Sequence, residues 1–255
     1  MPRIRTLEIC VEDLDGVDAA VAGGADRIEL CTALAVGGLT PAASLIRAAA
    51  SAASAALPVH LLSRPREGGF VYTPRESAMI ADDITTAAEA GLAGVVIGAA
   101  NVDGTLDAAV LAELIAHARL LGKARGRDLS LTLHRAFDLV PDLAAALDTA
   151  VTLGFDRVLT SGGAPKAIDG VAAIAMLHRR AAGRIGILVG SGVSIDTLPA
   201  ILATGVGEVH ASCRHPCDQD QDPALIRFGF ASTQASRTGR GRIRDLATHL
   251  AHSNA

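Results

Sequence analysis

The sequence predicts a closed (β/α)8 barrel (TIM barrel) formed as a single domain over residues 1–255, and three observations predict it. The chain has 255 residues, the length at which one such barrel, roughly 250 residues, is complete. Short β-branched or apolar runs alternate eight times with longer Ala- and Leu-rich runs of helical period, a pattern that calls for a parallel sheet. Half of the residues are hydrophobic but only 2% are aromatic, so Ala, Leu, Val and Ile must do the packing, as suits helices laid on a buried sheet. A doubly wound open sheet shares the alternation. The strand count and the lack of G-x-G-x-x-G after strand one favour the barrel.

The strands read as Leu7 to Val11, Arg27 to Cys31, Val59 to Arg64, Gly94 to Gly98, Ser130 to His134, Arg157 to Ser161, Ile185 to Gly190 and Glu208 to Ser212. Gly24, Gly91, Gly154 and Gly205 precede four of them and fit helix C-caps, where a left-handed residue ends the helix. Thr40 before Pro41, Thr73 before Pro74 and Ser194 before Ile195 read as helix starts. No low-complexity linker divides the chain. Residues 213–240, polar and then Gly/Arg-rich, read as a long loop after strand eight. The arginines at 237, 240, 242 and 244 read as the solvated start of the last helix.

Net charge is −4, with acids and bases mixed along the chain. That pattern predicts no nucleic-acid partner and no membrane surface, and favours a small-molecule or metal ligand. The first residues lack the continuous apolar stretch of a secretion signal, and the Ala-rich run at 48–56 is too short to span a bilayer, so a cytoplasmic protein is expected. Four cysteines, two of them close in sequence, make no disulfide framework and are expected as thiols.

Successive side chains of a strand point to opposite faces. In strand one, Leu7, Ile9 and Val11 therefore meet the helices while Glu8 and Cys10 point inward. Strand two repeats this with Glu29 and Cys31 inward. Strand three adds His60 and Arg64, strand five Thr132 and His134, and strand eight Glu208, His210 and Ser212. Burying an unpartnered charge costs several kcal/mol, so this gathering of carboxylates, arginine and histidines predicts a site. Barrel sites lie at the strands' C-terminal ends, where the reading places His60, Arg64, His134, Arg135 and His210.

The residues LEICVEDLDG (7–16), GGADRIELC (23–31), GGLTP (37–41), RPREGGFVY (64–72), LHRAFD (133–138), DRVLTSGGAP (156–165) and VHAS (209–212) stand in an order that resembles the CutC copper homeostasis family over nearly the whole chain. The resemblance implies a TIM barrel, a cytoplasmic location, homo-oligomerisation as a dimer or tetramer, and a copper connection. Two departures stand out. Gly163 replaces the family's glutamine in SGQAP, and Cys213-Arg214-His215-Pro216-Cys217 has no counterpart there.

Cu(I) prefers thiolate sulfur, with imidazole second, which makes Cys10 and Cys31 the metal-ligand candidates and the Cys213, His215, Cys217 cluster a weaker one. Cys10 and Cys31 sit on consecutive strands at staggered heights, so shared ligation is possible but not implied. The competing expectation is an enzyme. Glu8, Glu29, His60, His134 and Asp138 supply acid/base candidates. Arg64, Arg66, Arg135, Ser161, His210 and Ser212, with Gly190 and Gly192 before a helix start, would seat a small phosphorylated or sugar-like anion. Only two lysines occur, Lys123 and Lys166, neither on a strand, which argues against a Schiff-base aldolase. Gly190-Ser191-Gly192 lacks the spacing of a nucleophile elbow. Proton transfer, or metal-assisted isomerisation or hydrolysis, is the reaction class left.

Overall fold

In the computed structural model, which describes residues 5–53, 57–216, 222–231 and 235–252, the apolar runs become β1 (Thr6–Val11), β2 (Arg27–Leu30), β3 (Val59–Leu62), β4 (Gly94–Ile97), β5 (Ser130–Leu133), β6 (Arg157–Thr160), β7 (Gly186–Val189) and β8 (Glu208–Ala211). All pair in parallel in chain order. β8 closes on β1 with Leu7 opposite Val209 and Glu8 opposite His210. The outward residues Leu7, Ile9, Val11, Ile28, Leu30, Leu61, Val95 and Ile97 are fully or almost fully buried against the helices. Burying each such side chain contributes roughly 1.5–3 kcal/mol.

The strands end one or two residues earlier than the sequence pattern suggests. Cys31, Ser63, Arg64, Gly98, His134, Ser161, Gly190 and Ser212 lie just past the ladders. There the backbone leaves the sheet and its side chains are free to line the barrel's mouth.

The helices are α1 (Leu14–Gly23), α2 (Ala43–Ala52), α3 (Pro74–Glu89), α4 (Ala108–Ala124), α5 (Leu143–Leu153), α6 (Val171–Ala181), α7 (Leu198–Ala203), α8 (Pro223–Arg227) and α9 (Arg240–His252). Thr73 starts α3 through a full capping box with Glu76. Gly24 and Gly154 end α1 and α5 in the left-handed region, at φ 83° and 85°. α9 seals the ring against α1, where a side chain on Gly23 would meet Ile243 at 2.6 Å.

Three expectations are corrected. Thr40 does not cap α2, which begins after Ala42. Its hydroxyl instead donates to Asp83 and accepts the Arg64 amide. Ser194 opens a turn, and α7 itself starts only at Leu198, because Thr197 and Ser194 bond each other locally. The segment 213–240 is not simply a loop. It holds α8 and an antiparallel pair, β9 (Arg214–Pro216) with β10 (Ser236–Thr238), tied by Arg214 to Ser236 and Glu12.

Candidate functional site at the barrel mouth

The C-terminal ends of the strands enclose a cavity of about 480 Å³ lined by Cys10, Glu29, Arg64, Phe70, His134, Arg135, Asp138, Ser191, Gly192, Val193, His210 and Ser212, with Leu34, Val36, Leu62, Leu139 and Leu159 among its apolar lining. Two histidines face it from different strand ends. A glycine on a neighbouring strand end makes room for each ring. A Cβ on Gly98 would stand 2.4 Å from His134, and one on Gly190 would stand 3.3 Å from His210.

His210 is held from below. Its Nδ1 donates to Glu8 Oε1 at 2.7 Å, and Glu8 Oε2 accepts from Arg27, whose other nitrogen reaches Glu208 at 2.8 Å. Burial opposes charge on His210, but Cys10, Glu29 and Glu8 outweigh it and raise its pKa well above 6.5. Burial likewise opposes charge on Glu8, and Arg27 followed by His210 overcomes it, leaving Glu8 far below the ordinary carboxylate range. The pair is therefore an imidazolium on a carboxylate.

His134 is the opposite case. Its Nδ1 accepts the Ala136 amide at 3.1 Å, which puts the proton of a neutral ring on Nε2. Burial and then Arg64 hold its pKa down to about 3. Nε2 has no partner among the described residues. Phe70 packs beside the ring at 4.8 Å, and Arg64 lies over Phe70 at 5.2 Å.

Glu29 sits opposite Cys10 in the register. It is 5% exposed and its Oε2 has no partner among the described residues. Burial raises its pKa to about 7, with His210 pulling down and Glu8 pushing up. A buried carboxyl that changes protonation near neutrality is suited to taking or giving a proton. At the other rim, Ser191 (φ 78°) and Gly192 (φ 76°) both adopt the left-handed region, a strained choice for serine. Ser191 is fastened there by Ser191 Oγ to Pro165 O and by Ala167 N to Ser191 O. Ser191, Gly192 and Val193 line the cavity at this turn.

The other sequence candidates separate. Glu8 lies beneath the mouth as the support of His210. Asp138 reaches the lining, but its oxygens accept from Thr160, Ser161, Gly163 and Arg135, so it organises the β5 and β6 ends. Ser161, fully buried in that network, does not line the cavity. Arg135 does, with its side chain 39% exposed. Arg64 donates to the Val36, Gly38 and Gly68 carbonyls and shapes the wall. Gly190 is a spacer for His210 rather than a lining residue.

Three candidates lie elsewhere. Arg66 pairs with Glu76 and donates to the Glu67, Gly69 and Val71 carbonyls, which turns it away from the mouth. His60 sits at the opposite end of the barrel, because it is the second residue of β3 and two residues separate it from the strand's C-terminal end. Cys31 stands above Cys10 in a separate apolar cluster with Leu62 and Val96, its thiol donating to Val11 O at 3.4 Å. The anion-seating helix start is also absent, since α7 has six residues and begins after Thr197.

Arg27, which braces Glu8, is a site residue that sequence reasoning missed; it shares strand parity with the inward Glu29, and that parity is the available signal. Phe70, Ser191 and Val193 come from loops, where no periodicity marks direction.

A cation would have one group of donors among the described residues, Glu8, Glu29 and His210, with ligand atoms within 4.8 Å of one another. No cysteine belongs to it. Burial raises the Cys31 thiol far above its ordinary value, and Cu(I) ligation needs the thiolate. Cu(I) binding at Cys31 would have to displace the thiol proton, and Cys31 does not share the mouth lining with Cys10. Cys213, half-buried with its thiol pushed up to about 12 by burial, lines a different cavity, and Cys217 lies outside the described residues.

No helix among the described residues is long and apolar enough to cross a membrane. The CutC family profile matches residues 5–215. A CutC family protein of Rhizobium meliloti is 47% identical over 251 residues, 98% of this chain and 97% of that one. One from Caulobacter vibrioides is 44% identical over 246 residues, 96% of each. The crystal structure of a candidate copper homeostasis protein, CutC of Streptococcus agalactiae, superimposes with a TM-score of 0.75 at 31% identity, covering 82% of this chain and 99% of that one. Matched in sequence along nearly its whole length and in its closed barrel, the chain belongs to the CutC family.

Proposed function

We propose that the mouth binds a small anionic metabolite, of the phosphorylated or sugar-acid kind, and moves a proton on it. The observation that carries this reading is Glu29, a buried carboxyl with one unpartnered oxygen and a pKa of about 7, lining the same cavity as the neutral imidazole of His134. In this reading Glu29 exchanges a proton with the ligand. His134 Nε2–H donates to an oxygen whose negative charge grows as the proton leaves, and the ring stays neutral at every working pH. The imidazolium of His210 and the amides of Ser191, Gly192 and Val193 hold the ligand's anionic group, with Arg135 at the rim.

A panel of sugar phosphates and small hydroxy acids, incubated in deuterated water and read by mass spectrometry, tests it. The reading expects at least one compound to acquire a solvent-derived deuteron and to raise the melting temperature of the protein. Exchange should vanish in Glu29→Gln, and the melting shift should vanish in His134→Phe. A ligand whose melting shift depends on His134 but which never exchanges would make the barrel a binding protein and overturn the chemical step.

Copper as cargo is the second reading, favoured by the place of Cys10 in the mouth next to His210. It needs the Cys10 thiol and the His210 imidazole to serve as a two-ligand set, without Cys31. Anaerobic Cu(I) titration separates the versions. A site lost in Cys10→Ser and retained in Cys31→Ser supports cargo at the mouth, whereas equal dependence on both cysteines would overturn it in favour of a shared two-thiolate site.

A further inference from the structure

Beneath the mouth, four charged side chains and His210 form a row of alternating sign. Arg157 Nε lies 3.3 Å from Glu208, Arg27 donates to Glu208 at 2.8 Å and also to Glu8, and Glu8 accepts from His210 at 2.7 Å. The order is cation, carboxylate, cation, carboxylate, imidazolium. Three positive groups face two negative ones, so the row has a positive group at each end. The His210 end faces the mouth.

The Arg157 end faces a second cavity, about 450 Å³, at the N-terminal end of the barrel, lined in part by Arg5, Asp26, Arg27, His60, Ser130 and Arg157. Two buried nitrogens of its lining residues, Arg5 Nε and His60 Nδ1, have no hydrogen-bond partner among the described residues, and Arg157 Nε meets only the Glu208 carboxylate at 3.3 Å, as an ion pair without hydrogen-bond geometry. Buried polar atoms are normally paired, and unmet ones gathered on one cavity point to a ligand. The one carboxylate in the lining, Asp26, is engaged by the Leu7 amide at 2.8 Å. Gly94 keeps the place of the His60 ring, since a Cβ there would come within 2.9 Å of it. Burial and then the two arginines, against the pull of Glu8, hold His60 neutral with a pKa of about 3, in keeping with a positive field at this end. Nothing in the mouth chemistry uses these groups.

We propose that the N-terminal end of the barrel is a second binding site, for a small oxyanion of the phosphate or carboxylate class, seated against Arg157 and Arg5 and completing the alternating row. This end of such barrels serves stability rather than catalysis, so the bound anion acts as a structural ligand. It gives the Arg157 end of the row a further negative partner and leaves the mouth free for its own ligand.

The test is a titration of the full-length protein with inorganic phosphate at constant ionic strength, sodium chloride serving as the control, read by NMR at the arginine Nε–Hε signals. Arg157 and Arg5 should shift saturably with phosphate and not with chloride. The Arg157 shift should bind about tenfold more weakly in Arg5→Gln, in keeping with loss of one charged hydrogen bond. Arg5 is half-buried and donates to the Leu250 carbonyl, so a thermal melt verifies that this variant is folded. Arg157→Lys, which retains the charge but not the planar fork, is the second variant. Residue-resolved signals also separate this site from the mouth, where the Gly192 and Val193 amides report. No saturable shift at Arg157, or a phosphate affinity unchanged in both variants, would overturn the proposal.

Discussion

The two histidines of the mouth share one cavity and nearly the same burial, yet they are held in opposite states. On the β8–β1–β2 side, Nδ1 of His210 meets a carboxylate, Glu8, itself braced by Arg27. On the β5–β6 side, Nδ1 of His134 meets a backbone N–H, that of Ala136. An acceptor at Nδ1 keeps the ring protonated there and favours the cation. A donor at Nδ1 takes its lone pair and leaves a neutral ring. The difference shows that burial alone does not set the charge of a buried imidazole: Cys10, Glu29 and Glu8 overcome it at His210, whereas Arg64 adds to it at His134.

The sharpest way to break the comparison is to remove the carboxylate from one side. Glu8→Gln leaves His210 without its bonded carboxylate and Arg27 with Glu208 alone, and urea denaturation at neutral pH should show a loss of roughly 3–5 kcal/mol. Because Glu8 has a folded pKa beneath its ordinary 4.5, its contribution is present above that value and fades as the pH falls, so the gap between variant and wild type narrows in acid. On the other side Asp138→Asn, which disturbs a network of hydroxyls and amides but leaves no charge buried alone except a half-exposed Arg135, should cost less, roughly 1.5–3 kcal/mol.

A smaller effect of opposite sign is expected at Glu29, which stands beside His210 on the β8–β1–β2 side. Its folded pKa, about 7, exceeds its ordinary 4.5. The stability it contributes is therefore present below 4.5 and lost as the pH rises through 7. Glu29→Gln carries no charge to bury, so the variant should match wild type in acid and exceed it by roughly 1–3 kcal/mol at about pH 8. A variant less stable than wild type across that range would mean that Glu29 has a partner and is not poised for proton exchange.

Much of this was legible in the chain. Alternation along strand one alone assigns Leu7, Ile9 and Val11 to the helices and Glu8 and Cys10 to the interior, and closure of β8 on β1 brings His210 onto Glu8. Height along the barrel was harder to read. Parity says that His60 points inward, but only the register shows it opposite Gly94 at the bottom end, with Arg27 and Arg157 as its neighbours. Loop direction was not legible at all. Arg66 and Arg64 are two residues apart in one Gly-rich segment, yet one turns to Glu76 and the other to carbonyls at the mouth. Those choices depend on partners from distant parts of the chain, which a local pattern does not encode.

The central claim, that the same cavity holds one imidazolium and one neutral imidazole, is tested most directly by ¹⁵N NMR of the histidine rings across a pH titration. His210 should keep both nitrogens protonated through neutrality and lose a proton only well above 6.5, while His134 should remain a neutral Nε2–H tautomer down to about pH 4. Two rings titrating together near 6.5 would contradict the account.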